Sequence, residues 1–146
     1  MTVIVGINGQ SWMVSSGDDG IERILRGLDG ERWHSLVLAL LPVGVDFRDC
    51  DLDAEVDEYI QCAGSADRLT IEVRKREAKG LVQYVVGSQL HEQDSPRPTE
   101  EVGWGDHAVH VYDQELFDAT SALPIFLEYG ATGELPDGFT TRELVL

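Results

Sequence analysis

Cationic side chains are scarce in this sequence. Eleven Lys and Arg stand against 27 Asp and Glu, giving a formal net charge of −16 over 146 residues. So negative a chain is repelled by phosphate backbones and anionic lipid headgroups, which argues against nucleic-acid or membrane binding. It favours solubility and fast encounter with a basic protein, although net charge alone is also a plain solubility property. Cysteine is nearly missing: Cys50 and Cys62 form no CxxC pair and make no disulfide framework, so two reduced structural thiols are expected. No apolar run approaches the roughly 18 residues of a membrane-spanning helix. The opening MTVIVGINGQSW lacks the basic start of a signal peptide, and a cytoplasmic protein is the expectation.

Motifs for chemistry are missing as well. Asp49, Asp51 and Asp53 satisfy the first three ligand positions of a calcium loop, but Ala54 stands where the sharp turn needs Gly and Ile60 where the bidentate Glu belongs. His107 and His110 form HxxH inside a segment that reads as a strand, where an odd separation sends the two rings to opposite faces. Gly6 and Gly9 follow a strand without GxGxxG or GK[ST], and there is no GxSxG elbow. Cys50 lies between Asp49 and Asp51, whose charges suppress the thiolate and make it a poor nucleophile. No cofactor, metal or catalytic residue is therefore assigned. A carboxylate enzyme using His91, His107 or His110 is the least favoured class, and an acidic assembly or scaffold subunit is the second; an enzyme is not expected.

What is present suits one folded domain spanning residues 1–146, with 42% hydrophobic residues to build a core. Asn8-Gly9 marks a two-residue hairpin pairing Ile7 with Gln10, Val5 with Trp12 and Val3 with Val14. A helix from Gly17, capped by Ser16 or Asp18, places Ile21, Leu25 and Leu28 on one face and ends at Gly30. HSLVLALL reads as a central strand buried on both faces. In DFRDCDLDAEVDEY the apolar Leu52, Val56, Tyr59 and Ile60 recur at helical spacing, predicting a second, acidic helix from Asp51.

RLTIEVRKRE and KGLVQYVVGSQ predict an antiparallel hairpin carrying a basic cluster, Arg74, Lys75, Arg76 and Lys79. His91 to Gly105 reads as a long polar loop with Trp104 as a candidate anchor, and HAVHVY as a further strand. A third helix, capped by Asp113, runs to Gly130 with Leu116, Thr120, Leu123 and Leu127 on one face and a kink at Pro124. The tail holds a Pro136-Asp137-Gly138 turn and a last strand. The expected fold class is α+β: an antiparallel or mixed sheet flanked by about three helices.

From Leu69 to Phe139 the order is strand hairpin, loop, strand, helix ending FLEYG, Pro-containing turn and final aromatic. It resembles the bacterial polymorphic-toxin immunity proteins of the Imm-one type, some of which neutralise deaminase toxins. The positions that carry the likeness are Phe126, Leu127, Gly130, Pro136 and Phe139; Pro124 within the helix, and Phe139 where a tryptophan is more familiar, depart from the pattern. The resemblance implies an antitoxin without catalysis, which binds a cognate toxin with a basic surface and occludes its active site or substrate groove. Oligomeric state is expected to be monomeric or weakly associated. Charge and loop length, independently of the family motif, nominate the contact residues: Asp49, Asp51, Asp53, Glu55, Asp57 and Glu58 in the acidic stretch, and Glu92, Asp94, Glu100, Glu101 and Trp104 in the loop.

Overall fold

The computed structural model describes residues 2–7, 10–15, 20–40, 57–88, 98–104 and 107–144; for 2–15, 104 and 107 only the backbone is described. The fold is α+β. Seven strands form one antiparallel sheet: β1 (Thr2–Ile7), β2 (Gln10–Ser15), β3 (Ser35–Leu40), β4 (Tyr59–Ser65), β5 (Arg68–Glu77), β6 (Gly80–Gly87) and β9 (Thr140–Glu143), in spatial order β2-β1-β3-β4-β5-β6-β9. Between β6 and β9 the chain makes a separate hairpin, β7 (Glu100–Trp104) and β8 (His107–Val111). Two α-helices are present among the described residues, α1 (Gly20–Arg26) and α2 (Ala119–Thr132).

Alternation along the central strands builds the core. Leu36 and Leu38 of β3, Ile60 and Cys62 of β4, and Leu69, Ile71 and Val73 of β5 project from one face of the sheet and are at most 1% exposed. Against them lie Ile21 and Leu25 of α1, Leu28 beyond it, and Ala119, Ala122, Ile125, Phe126 and Tyr129 of α2. Each large apolar side chain removed from water here contributes about 2 kcal/mol. Cys62 belongs to this layer, and burial pushes its thiol up to about 12. It is a packing residue with no accessible thiolate.

The opposite face also carries buried apolar residues. There Val85 of β6 meets Val102 of β7 and Val111 of β8 in a second small cluster. Gly64 allows the hairpin to come this close: its φ is +126°, and an added Cβ would stand 2.4 Å from the Arg68 carbonyl and 3.0 Å from Val102 Cγ1. Farther along the same face the sheet is polar. Gln61 and Gln83 donate to the buried carboxylate of Glu72, the Tyr59 hydroxyl donates to Gln83, and the Arg74 guanidinium lies 4.6 Å from the Tyr59 ring centre. Glu72 is thus buried with its hydrogen bonds made, as a carboxylate in that position requires.

Two local devices tie the C-terminal part to the sheet. Glu115, 3% exposed, accepts both Nε and Nη2 of Arg142 at 2.9 Å and the Tyr112 amide at 2.8 Å, while Arg142 also lies 5.1 Å from the Tyr112 ring centre. This bidentate pair holds β9 to the 3-10 turn Asp113–Glu115, and the bond to Glu115 keeps Arg142 protonated beyond its ordinary range. Leu69 and Phe117 exchange backbone hydrogen bonds of 2.9 Å, closing the part of β5 that runs past β6.

Several expectations hold to the residue. The β1–β2 register pairs Ile7 with Gln10, Val5 with Trp12 and Val3 with Val14. Ile21, Leu25 and Leu28 are buried, and the last strand forms. Other expectations are corrected. Tyr59 and Ile60 do not continue a helix from Asp51: they open β4, because pairing with Arg74 and Val73 of β5 buries Ile60 more completely than one helical turn would. Residues 51–56, where that helix begins, lie outside the described residues, as do Ser16 and Asp18. Glu100 to Trp104 is a strand, although the stretch reads as loop, since cross-strand pairing to β8 and burial of Val102 outweigh its weak local propensity.

The last helix also differs. Asp113 opens only a 3-10 turn, and the helix proper starts after Asp118, whose Oδ1 accepts the Ser121 amide at 2.8 Å. It ends at Gly133 with φ +77°, not at Gly130, which is buried against Leu38. Its buried face is Ala119, Ala122, Ile125, Phe126 and Tyr129; Leu127 faces solvent at 38%. The helix continues through Pro124. Pro124 and Thr120, whose carbonyl loses its helical partner, are both exposed, so water can take the place of the missing amide.

Arg142→Ala should destabilise the fold by about 2–3 kcal/mol in urea titrations, because it strands a buried carboxylate; the Arg is one-third exposed, which keeps the loss at or below the lower end of the usual range. Asp118→Ala should cost about 1 kcal/mol at neutral pH, the usual loss for a helix cap. The backbone amide of Ser121 holds the Asp118 carboxyl below its ordinary value of 3.8. The contribution is therefore fully present above that value and lost as pH falls through the lower folded-state pKa. Melting curves of the two proteins should converge in that acidic window and differ most near neutrality.

Candidate protein interface

Lying between β4 and β5, the turn at Ala66 and Asp67 brings together segments far apart in sequence. Asp29 bridges to Ser65 in backbone pairing, the Ala66 amide donates to the Leu28 carbonyl at 2.9 Å, and the Ala119 amide to the Ala66 carbonyl at 2.7 Å. The α1–β3 connection, the β4–β5 turn, the start of β7 and the N-terminus of α2 thus meet at one end of the sheet. Two shallow depressions open there, of about 310 and 320 Å³. The first is lined by Asp29, Glu31, Arg68, Glu101 and Val102 among others, the second by Asp67, Arg68, Phe117, Asp118 and Ser121.

Arg68 separates the two. Its Nη2 lies 3.5 Å from Glu100 Oε2 and donates to the Glu101 carbonyl at 3.2 Å. Arg68 thus serves a rim holding Asp29, Glu31, Asp67, Glu101 and Asp118, each exposed to solvent, with Arg32 exposed in the same turn as Asp29. Asp29 is fixed by its own loop: its carboxylate accepts the Glu31 and Trp33 amides at 2.9 and 3.0 Å, and those bonds, that of Trp33 foremost, hold its pKa below 3.8. The same turn presents Trp33, 44% exposed and among the largest apolar side chains on the described surface. An acidic rim with a projecting tryptophan has the makings of a protein contact: charge to select, and an aromatic to anchor.

The nominated residues do not converge. Glu100 and Glu101 belong to this end, where Glu101 Oε2 also lies 3.4 Å from His110 Nε2. Asp57 and Glu58 precede β4 at its other end, about 20 Å away at the usual rise of a strand. There they bond to the chain's own basic hairpin. The Asp57 carboxylate pairs with the Arg76 guanidinium, its carbonyl accepts Arg74 Nε at 2.7 Å, and Glu58 accepts the Arg76 amide at 3.0 Å. Trp104 pairs by backbone with His107 across the β7–β8 hairpin. Asp49, Asp51, Asp53, Glu55, Glu92 and Asp94 lie outside the described residues, together with Cys50 and His91.

Asp29, Glu31, Trp33, Asp67 and Asp118 were not nominated. Asp29, Glu31 and Trp33 share one turn, and only the tertiary meeting of separate segments makes them neighbours of Asp67 and Asp118. The single local clue was Asp67 standing just before the strand pattern RLTIEVRKRE.

The basic cluster changes meaning too. Lys75 lies 3.6 Å from Glu134 and Lys79 2.8 Å from Glu143, so the hairpin that reads as a cationic feature is matched by carboxylates of the same chain. No group of three or more His, Cys, Asp or Glu able to hold a metal occurs among the described residues. No helix among them is long and apolar enough to cross a membrane. Comparison with protein-family models, curated proteins and solved structures finds no match.

Gly64→Ala should destabilise by at least ~2 kcal/mol, since it combines a strained positive φ with a backbone clash. It should also release the β7–β8 hairpin first. Amide hydrogen exchange would read this as faster exchange at Val102 and Val109 than in α2.

Proposed function

We propose that the chain is an inhibitory binding protein of the immunity type, which captures a basic toxin protein and performs no catalysis itself. The observation that carries this reading is the disposition of charge. Six of the eleven cationic side chains, those of Arg26, Arg68, Lys75, Arg76, Lys79 and Arg142, are ion-paired to carboxylates of the chain itself. More than half of the scarce positive charge is thus neutralised within the chain, and the carboxylates in excess project a net negative field. A toxin that acts on nucleic acid needs a cationic groove, and such a field complements it. The active site or substrate groove of the toxin is then occluded by the surface around the β4–β5 turn, with Trp33 as the anchor and Glu31, Asp67 and Glu101 as its charged rim.

Charge of this kind accelerates association more than it deepens affinity. Salt at physiological strength screens over about 8 Å, so the effect is expected to fall steeply with ionic strength.

The direct test is co-expression with the product of the adjacent upstream gene, scoring rescue of growth. Protection is the expected result; an adjacent product that is harmless, or one whose toxicity is unaffected, overturns the proposal. With the cognate partner in hand, the combined Glu31→Gln, Asp67→Asn and Glu101→Gln protein should associate about tenfold more slowly at low salt and converge with the parent at high salt. Stopped-flow kinetics measure both arms. Trp33→Ala should instead raise the dissociation rate, at a cost of about 2 kcal/mol if it is an anchor.

A further inference from the structure

The two edges of the seven-stranded sheet are built differently. At one edge β9 is four residues long and carries Arg142 and Glu143, the first locked to Glu115 and the second to Lys79. Short length and charge are the usual protection of an edge against pairing with another chain. At the other edge β2, QSWMVS, runs for six residues with no charged residue, no proline and no glycine. None of those protections is present there.

Which amides β2 offers follows from the hairpin. A two-residue turn closes on a hydrogen-bonded pair, here Ile7 and Gln10, so Gln10, Trp12 and Val14 spend their backbone groups on β1. Ser11, Met13 and Ser15 direct theirs away from the sheet, where no strand of the described residues meets them. Among the described residues the edge therefore presents a regular row of donors and acceptors that no strand takes up.

We infer that β2 is a docking edge that takes an extended strand of the captured protein, extending the sheet by one strand. This rests on the reading above that the partner is basic. A second copy of the chain is disfavoured as occupant because two molecules of charge −16 repel, whereas a cationic strand is drawn to the same edge. Backbone pairing then supplies affinity, with charge selecting the partner, as in other cases of strand addition.

The probe is a short blocked peptide of alternating lysine and valine, added to the full chain at low salt. Exchange of the Ser11, Met13 and Ser15 amides should be fast in the free protein and slow about tenfold or more with the peptide bound. Ser11→Pro removes one outward donor and is compatible with an edge position whose amide faces solvent. It should weaken the peptide about tenfold and leave the salt dependence unchanged, with far-ultraviolet circular dichroism confirming the fold. Should that variant unfold, the exchange measurement on the unaltered chain decides alone. Peptide binding that leaves those three amides unprotected overturns the docking edge while the acidic, partner-capturing reading survives. Absence of binding, or dimerisation through β2 in sedimentation equilibrium, also overturns the edge. Loss of growth protection in the co-expression test, by contrast, removes the reading beneath it.

Discussion

Everything in this molecule depends on one layer of contact, the apolar face of β3, β4 and β5 against α1 and α2. Leu36, Leu38, Ile60, Leu69, Ile71 and Val73 have no other place to go, and Ile125 and Phe126 of α2 are buried as completely. Because successive residues of a strand alternate, filling this face obliges Thr70, Glu72 and Arg74 to occupy the other. The polar network of Glu72 with Gln61 and Gln83 is a consequence of that obligation, and so is the limited reach of the second apolar cluster. The β7–β8 hairpin covers the far face only where Val85 offers it something to cover.

The same constraint decides which described surfaces stay open. α1 and α2 close one face of the sheet, and the β4–β5 turn is open at one end of it. At one end the β4–β5 turn gathers Asp29, Glu31, Asp67 and Asp118 with Arg68 between them; at the other, Asp57 and Glu58 are consumed by Arg76. Acidic residues equivalent in composition thus have opposite roles. One group is exposed to solvent around Arg68, and the other is part of the chain's own internal electrostatics. Exposed pairs such as Arg26 with Glu22 add little stability, and each one cancels a positive charge against a negative one in the field the surface presents.

Buried polar contacts fix the parts that hydrophobic burial leaves loose. The Glu115–Arg142 pair joins the last strand to a turn nearly thirty residues earlier, where strand pairing alone, across four residues of β9, would hold weakly. Its cost in desolvation is offset by two parallel hydrogen bonds and the Tyr112 amide. Gly64 has the complementary part: by having no side chain it lets the second hairpin approach the sheet.

Local pattern was enough for the elements whose signal is short-ranged. Asn8-Gly9 set the register of the first hairpin, the alternation of RLTIEV set the faces of β5, and the spacing of Ile21, Leu25 and Leu28 set the buried side of α1, because each arises from backbone geometry over a few residues. The acidic stretch misled at Tyr59 and Ile60, where helical spacing and strand alternation coincide over so short a run and pairing with β5 decided between them. β7 was invisible because Glu100 to Trp104 gains its structure from β8 and from one valine. The charge of the chain was legible from composition. Which carboxylates remain unpaired was decided only by the tertiary structure, since an ion pair such as Lys79 with Glu143 depends on distances in space that spacing along the sequence does not encode.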